Sequence, residues 1–219
     1  MPLRIVQDVR ARRHTAALAL FGFIATALAL SADRWVASAF AAMQTEAGRR
    51  LMLGLTELGN GWVDFGLAGA MVVTGWRMAR WHWVQAGLRG AMAVAAAGLA
   101  VQAVKHVACR ARPMAAAAGS FFHGVPCLAG EPAFFSFPSG HATTAAALAV
   151  ALGLQAPALR LPAVAGVAVV MVSRVYLGAH FPSDVLAGAT LGAIAGILTA
   201  GPAGPAPPAP PLPGPPPAR

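Results

Sequence analysis

Three short clusters of polar and ionisable residues interrupt an otherwise apolar sequence, and each combines types suited to handling an anion. In the first, Lys105-His-Val-Ala-Cys-Arg-Ala-Arg112-Pro113, a lysine and an arginine stand two helical turns apart. Both project from nearly the same face if one helix continues to the proline. Pro113 disfavours helix at Arg112, which leaves that guanidinium at a helix end, free to turn into a site. In the second, Phe135-Ser-Phe-Pro138-Ser139-Gly140-His141, Ser139 and Gly140 occupy N-cap positions before an alanine-rich stretch. A helix start of this kind offers free N–H groups and a positive dipole end to an anion, and Gly140 lets the backbone approach an oxygen closely. His141, in the first turn, is placed to give a proton to a leaving oxygen. The third, Ser173-Arg174-Val-Tyr-Leu-Gly-Ala-His180-Phe-Pro182-Ser183-Asp184, puts a proline at the first position of a helix and Asp184 in its first turn, within reach of a hydrogen bond to His180. A carboxylate so placed fixes the imidazole tautomer, frees the lone pair of the other nitrogen and stabilises positive charge on the ring, which makes His180 the candidate nucleophile. Cations and backbone donors for three equatorial oxygens, one nucleophile and one acid are the set that phosphoryl transfer calls for.

The elements that must position these groups are membrane helices. The chain has 219 residues, is 58% hydrophobic and only 11% charged, with a positive mean hydropathy, a balance that points to a bilayer rather than to a soluble core. A net charge of +9 suits an anionic membrane surface or substrate better than nucleic acid, because the basic residues are scattered between apolar stretches rather than gathered into a stripe with aromatics. Six segments are apolar enough to be read as spans: 15–31, 61–76, 88–104, 141–154, 162–172 and 185–200. Trp76, Trp81 and Trp83 read as interfacial. With the N-terminus inside, nine Lys and Arg fall on the inner side and seven on the outer. Three of those seven, Lys105, Arg112 and Arg174, belong to the chemistry, so the positive-inside bias favours this orientation. All three clusters then share the outer face.

The basic start followed by an apolar run also resembles a signal peptide, with residues 29–32 as a weak cleavage site, although a retained span is the favoured reading. Residues 34–55 read as one amphipathic helix lying in the interface or as a surface connector. Residues 201–219, rich in proline, read as an extended or disordered tail. His106, His123 and Glu131 read as surface or substrate-contacting residues of the outer loop, and His14 and His82 fall on the inner side. Cys109 and Cys127 would face an oxidising compartment, where a bridge between them could brace the loop beside Arg112.

The three clusters together resemble the signature of the type 2 phosphatidic acid phosphatase (PAP2) superfamily: K-x6-RP from Lys105 to Pro113, PSGH from Pro138 to His141, and SR-x5-H-x3-D from Ser173 to Asp184, with every specified position matched in order. The resemblance implies an all-α, polytopic fold with six transmembrane helices over residues 1–200, followed by the tail at 201–219. It implies that His180 attacks phosphorus to form a phosphohistidine, that Asp184 orients it, and that His141 protonates the departing lipid oxygen and later activates water. Lys105, Arg112, Arg174, Ser139 and Gly140 are implied to bind the phosphate oxygens, with no metal and no cofactor. The partners implied are membrane lipids and a lipid phosphate substrate (undecaprenyl pyrophosphate, phosphatidylglycerol phosphate, phosphatidic acid or lipid A phosphate), at the periplasmic face of a bacterial inner membrane. Two other readings stand beside this one: a phosphotransferase using the same histidine, and a non-catalytic lipid-phosphate binder or transporter component. A binder needs the cations but not His180, Asp184 and His141 together.

Overall fold

Apolar stretches that must satisfy every backbone N–H and C=O without water have one local solution, the helix, and the computed structural model is built from little else. It describes residues 2–115 and 132–200, and the side chains of residue 13 and of residue 15 onward. Among the described residues there is no extended strand, and seven α-helices follow one another: α1 Pro2–Ala42, α2 Glu46–Thr56, α3 Gly61–Arg77, α4 Trp81–Ala108, α5 Gly140–Gln155, α6 Arg160–Tyr176 and α7 Pro182–Ala200. Short 3-10 turns at Glu57–Gly59 and Pro157–Leu159 join α2 to α3 and α5 to α6.

The central helix is α5, which packs against α7, α4 and α6, while α1 lies along α7 and α3 along α4. The packing is close because the facing residues are small. Ala93 and Ala97 of α4 meet Ala147 and Ala151 of α5 in a fully buried seam, with Ala195 of α7 against it. On α7, glycines 188, 192 and 196 recur every four residues, and a Cβ at Gly192 would strike the carbonyl of Thr143 on α5. Small residues at this spacing let two helix backbones approach, the packing mode available where lipid removes the hydrophobic drive between helices. The outer surface is the reverse, with Leu20, Phe21, Phe23 and Leu28 of α1 exposed as a lipid-facing side chain layer would be.

Among the described residues four helices are long and apolar enough to cross a membrane: Thr15–Ala42, Trp81–Ala108, Pro157–Tyr176 and Pro182–Ala200. The two other expected spans are shorter, 17 residues in α3 and 16 in α5. The expected single amphipathic helix over 34–55 does not form. The first span instead continues to Ala42, the chain turns at Met43 to Thr45, and α2 restarts with Thr45 as its N-cap, its hydroxyl accepting from the Gly48 N–H at 3.0 Å. Tyr176 at the end of α6 fastens this turn: its hydroxyl accepts from the Thr45 N–H at 3.0 Å and donates to the Met43 carbonyl at 3.4 Å.

Candidate active site

Up-and-down connectivity brings the C-terminal ends of α4 and α6 and the N-terminal ends of α5 and α7 to one end of the bundle, and the three sequence clusters meet there. The turn between α6 and α7 holds His180. It reverses direction through Gly178, whose φ of 66° is open to glycine at no steric cost. The His180 N–H then donates to the Arg174 carbonyl at 3.3 Å, tying the turn to the end of α6.

His180 is buried, and its Nδ1 lies 2.7 Å from the carbonyl oxygen of Ser136. A carbonyl can only accept, so Nδ1 carries the proton and Nε2 keeps its lone pair. The partner differs from the expected one. Asp184 Oδ2 stands 3.7 Å from Nδ1, beyond a hydrogen bond, because the carboxylate is engaged elsewhere: Oδ2 accepts from the Ser136 hydroxyl at 2.6 Å and from the Phe181 N–H at 2.8 Å. Asp184 therefore acts on the imidazole through Ser136, which holds carboxylate and ring at once. The turn lies outside the spans, and burial, reinforced by the charges of Lys105 and Arg174 and opposed by Asp184, pushes the His180 imidazole down to about 4. The neutral form, the nucleophilic one, is the resting state.

The cations arrive from three elements. Lys105 is buried near the end of α4 and donates to the Phe135 carbonyl at 2.6 Å. The helix does not continue to Pro113 as the two-turn spacing of Lys105 and Arg112 suggested. It ends at Ala108, with Cys109 left-handed at φ 45°, and Arg112 is carried in by an irregular segment whose N–H donates to the Ala133 carbonyl at 2.8 Å. The Arg112 Nε donates to the Pro132 carbonyl at 2.9 Å. Arg174, near the end of α6, donates from Nη1 to the Thr56 hydroxyl at 3.1 Å, so α2 helps aim it. These three cations lie within electrostatic range of one another and of His141, and Lys105 and Arg174 within range of His180. Among the described residues none of the three forms a salt bridge. Three cations gathered without a salt bridge suit an anion.

Ser139 is the N-cap of α5, but its hydroxyl makes no capping bond and is a buried group without a partner among the described residues, as is the Arg174 Nε. Its N–H donates to the Asp184 carbonyl at 2.9 Å, which seats the start of α5 on the start of α7. Gly140 opens the helix beside Lys105: a Cβ there would lie 4.0 Å from the lysine Cε. Orphaned donors at a helix start, flanked by three cations, fit phosphate oxygens. Among the described residues no group of three or more His, Cys, Asp or Glu side chains is arranged to hold a metal ion.

The other candidates scatter. His106 is exposed, with Nδ1 2.8 Å from the Gln102 carbonyl and its ring against Phe135. His123, Glu131 and Cys127 lie outside the described residues. Two buried groups that no cluster announced take part: Arg110, between the motif lysine and arginine, and Asp33 on α1, joined to Asp184 in one network. Asp33 lies just past the apolar run 15–31, and only the continuation of α1 to Ala42 puts it inside a helix that buries it.

A bundle of apolar helices with two histidines and three cations gathered at one end defines a helical membrane protein with a candidate anion site. The PAP2 superfamily profile matches residues 86–201, and the chain belongs to that superfamily. The matched region contains all three clusters. A transmembrane PAP2-type phosphatidylglycerolphosphate phosphatase from Bacillus subtilis has a similar structure, with a TM-score of 0.64 and 27% identity over 84% of this chain and 93% of that one. In sequence, the chain is 41% identical over 103 residues to a lipid A 1-phosphatase of Rhizobium johnstonii, an alignment covering 47% of this chain and 42% of that protein. It is 34% identical over 145 residues to a decaprenylphosphoryl-5-phosphoribose phosphatase of Mycolicibacterium smegmatis, covering 64% and 69%. The chain thus spans less than half the length of its rhizobial relative.

Proposed function

We propose that this protein is a membrane lipid phosphatase that works through a phosphohistidine on His180. The observation that carries the reading is the locked tautomer. With Nδ1–H held by the Ser136 carbonyl, Nε2 is the one ring nitrogen free to attack, and it does so beside three cations that form no salt bridge among the described residues. In the first step the Nε2 lone pair forms a bond to phosphorus while the bond from phosphorus to the lipid oxygen breaks, and His141 gives that oxygen its proton. In the second, water attacks phosphorus, His141 takes the proton, and the phosphorus–nitrogen bond breaks to release inorganic phosphate. Lys105, Arg112, Arg174, the Ser139 hydroxyl and the Gly140 N–H stabilise the equatorial oxygens.

The substrate is a phosphate monoester or diphosphate of a lipid, and phosphatidylglycerol phosphate, lipid A phosphate, undecaprenyl pyrophosphate and phosphatidic acid are the four to test. The fold reading that goes with this is six spans. The 17 residues of α3 rise about 25 Å, and exposed Trp62 and Trp76, near its two ends, stand about 21 Å apart along the axis, a spacing suited to the two interfaces. Although short, α5 lies in the middle of the bundle, where its neighbours rather than lipid cover it. The N-terminus is cytoplasmic and the site periplasmic, residues 1–200 form the catalytic domain with 201–219 as a tail, and Cys109 pairs with Cys127.

The test is phosphate release by the purified protein in detergent against those four lipid phosphates. Release is expected from at least one, and His180→Ala is expected to lose activity by at least ~1,000-fold while eluting as the folded protein. Substantial turnover by that variant would remove the assigned nucleophile. Acceptor-dependent transfer without free phosphate would make the protein a transferase.

A further inference from the structure

We propose that Asp33 and Arg110 are positioning residues for the proposed phosphatase site, forming with Asp184 a buried Asp33–Arg110–Asp184 chain that fastens α1 to the catalytic turn and sets the charge behind His180.

Arg110 is 1% exposed, and its two terminal nitrogens take different carboxylates. Nη1 donates to Asp184 Oδ1 at 2.5 Å and to the Ser183 hydroxyl at 2.7 Å, while Nη2 donates to Asp33 Oδ2 at 2.6 Å. The guanidinium lies over the Phe181 ring, 4.5 Å from its centre. Asp33, 1% exposed, also caps α7 from another helix: its Oδ1 accepts the Ser183 N–H at 2.9 Å and its Oδ2 accepts the Ser183 hydroxyl. A carboxylate on the first N–H groups of a helix is favoured by the dipole as well as by the hydrogen bonds.

Burying three charges is costly unless each is paired, and removing one member leaves the others uncompensated. The chain carries two carboxylates and one guanidinium, a net charge of −1. Its far end is Asp184, which reaches His180 through Ser136 and across 3.7 Å. Neither Asp33 nor Arg110 touches substrate or the reacting nitrogen. They act by holding Asp184 at the orientation in which it can hold Ser136, and by fixing how much negative charge stands behind the ring.

This gives an ordered prediction that a merely structural pair would not. The charged groups facing His180 are Lys105 from α4, Arg174 from α6 and Asp184 from α7, and none of them changes in the variants. The net charge behind the ring is −1 in the wild type, 0 in Asp33→Asn, −2 in Arg110→Gln and −1 in the double variant. Negative charge favours the protonated imidazole. The midpoint of His180 titration, followed by histidine NMR and by the acid limb of kcat with a short-chain phosphatidic acid in detergent, is therefore expected highest in Arg110→Gln. It is expected equal in the wild type and the double variant, and lowest in Asp33→Asn, with steps of about one pH unit. In both single variants kcat is expected to fall about tenfold while KM holds, because the phosphate-binding side chains are untouched. A midpoint common to all four proteins, or one that rises in Asp33→Asn, overturns the proposal. If Asp33→Asn does not elute as folded protein, the comparison of Arg110→Gln with the double variant decides: the second substitution must return the midpoint toward the wild type. Wild-type protein that releases no phosphate from any of the four lipid phosphates would defeat the phosphatase reading alone, since the NMR titration still reports the order.

Discussion

A neutral buried imidazole at His180 has two consequences that can be separated. For stability, the ring titrates near 6.5 when unfolded but near 4 when folded, so between those values the unfolded chain binds the proton and the folded one does not. Stability from this group is complete above 6.5 and is lost as pH falls toward 4. The thermal midpoint of the wild type in detergent should drop across that window, and His180→Gln should drop less; parallel curves for the two proteins would contradict the depressed value. At Lys105 the prediction concerns shape rather than charge. Its ammonium is buried and donates to the Phe135 carbonyl at 2.6 Å, leaving room for a point charge and little for a planar fork. Lys105→Arg is expected to lower kcat about tenfold despite keeping the charge, a difference that steady-state phosphate release measures. Lys105, Arg112, His141, Arg174, His180 and Asp184 stand out in the sequence because each places an ionisable group at or near the end of an apolar run. Ser136 does not: its part is played as much by its backbone carbonyl as by its hydroxyl, and a sequence of side chains carries no sign of which carbonyl faces a ring.

Between residue and fold, the seam of α5 and α7 decides whether the site exists. His141 rides on the first turn of α5 and Asp184 on the first turn of α7, and the Ser139 N–H to Asp184 carbonyl bond joins the two starts. A Cβ at Gly192 meets the Thr143 carbonyl, a backbone atom that cannot rotate away. Gly192→Ala should therefore push the helices apart, lower stability by about 1–3 kcal/mol and reduce activity, whereas Gly69→Ala on α3, where a Cβ meets nothing within 4 Å, should be neutral or slightly stabilising. Thermal unfolding of the two variants in detergent checks the contrast, and equal stability in both would mean the seam is looser than its geometry. Hydrophobic runs reported that these helices exist, and their ends were legible only where a cap or proline marked them. Pro182 opened α7 as read, with Asp184 in its first turn. The end of α4 is not marked locally: the left-handed Cys109 and the pull of Arg110 into the buried network stop the helix at Ala108, four residues before Arg112, and no local rule encodes a partner on α1. The extension of α1 to Ala42 was missed for a related reason: Asp33 and Arg34 look like the edge of a span until one knows that Asp33 is buried against α7.

At the scale of the whole molecule, the proposed activity depends on which side of the membrane the site opens to, and the positive-inside bias is the ground for the periplasmic proposal. Turn residues 78–80 between α3 and α4 lie at the end of the bundle opposite His180, while Gln44, whose side chain donates to the Tyr176 carbonyl, lies at the same end as the site. Arg77 ends α3 beside that opposite turn and Arg80 lies in it, where the positive-inside bias would hold them in the cytoplasm. In a background with Cys109 and Cys127 replaced by alanine, a single cysteine at Gln44 should react with a membrane-impermeant thiol reagent in intact cells. One at Ala79 should react only after the membrane is opened. The reverse pattern would put the catalytic end in the cytoplasm and require a cytoplasmic lipid phosphate; the predicted pattern restricts substrates to lipids whose phosphate is displayed on the outer leaflet. The same labelling, run on the native chain before and after reduction, tests the proposed bridge, because two thiols reactive without reductant would show that Cys109 and Cys127 are unpaired and that the segment carrying Arg112 is held by hydrogen bonds without a covalent brace.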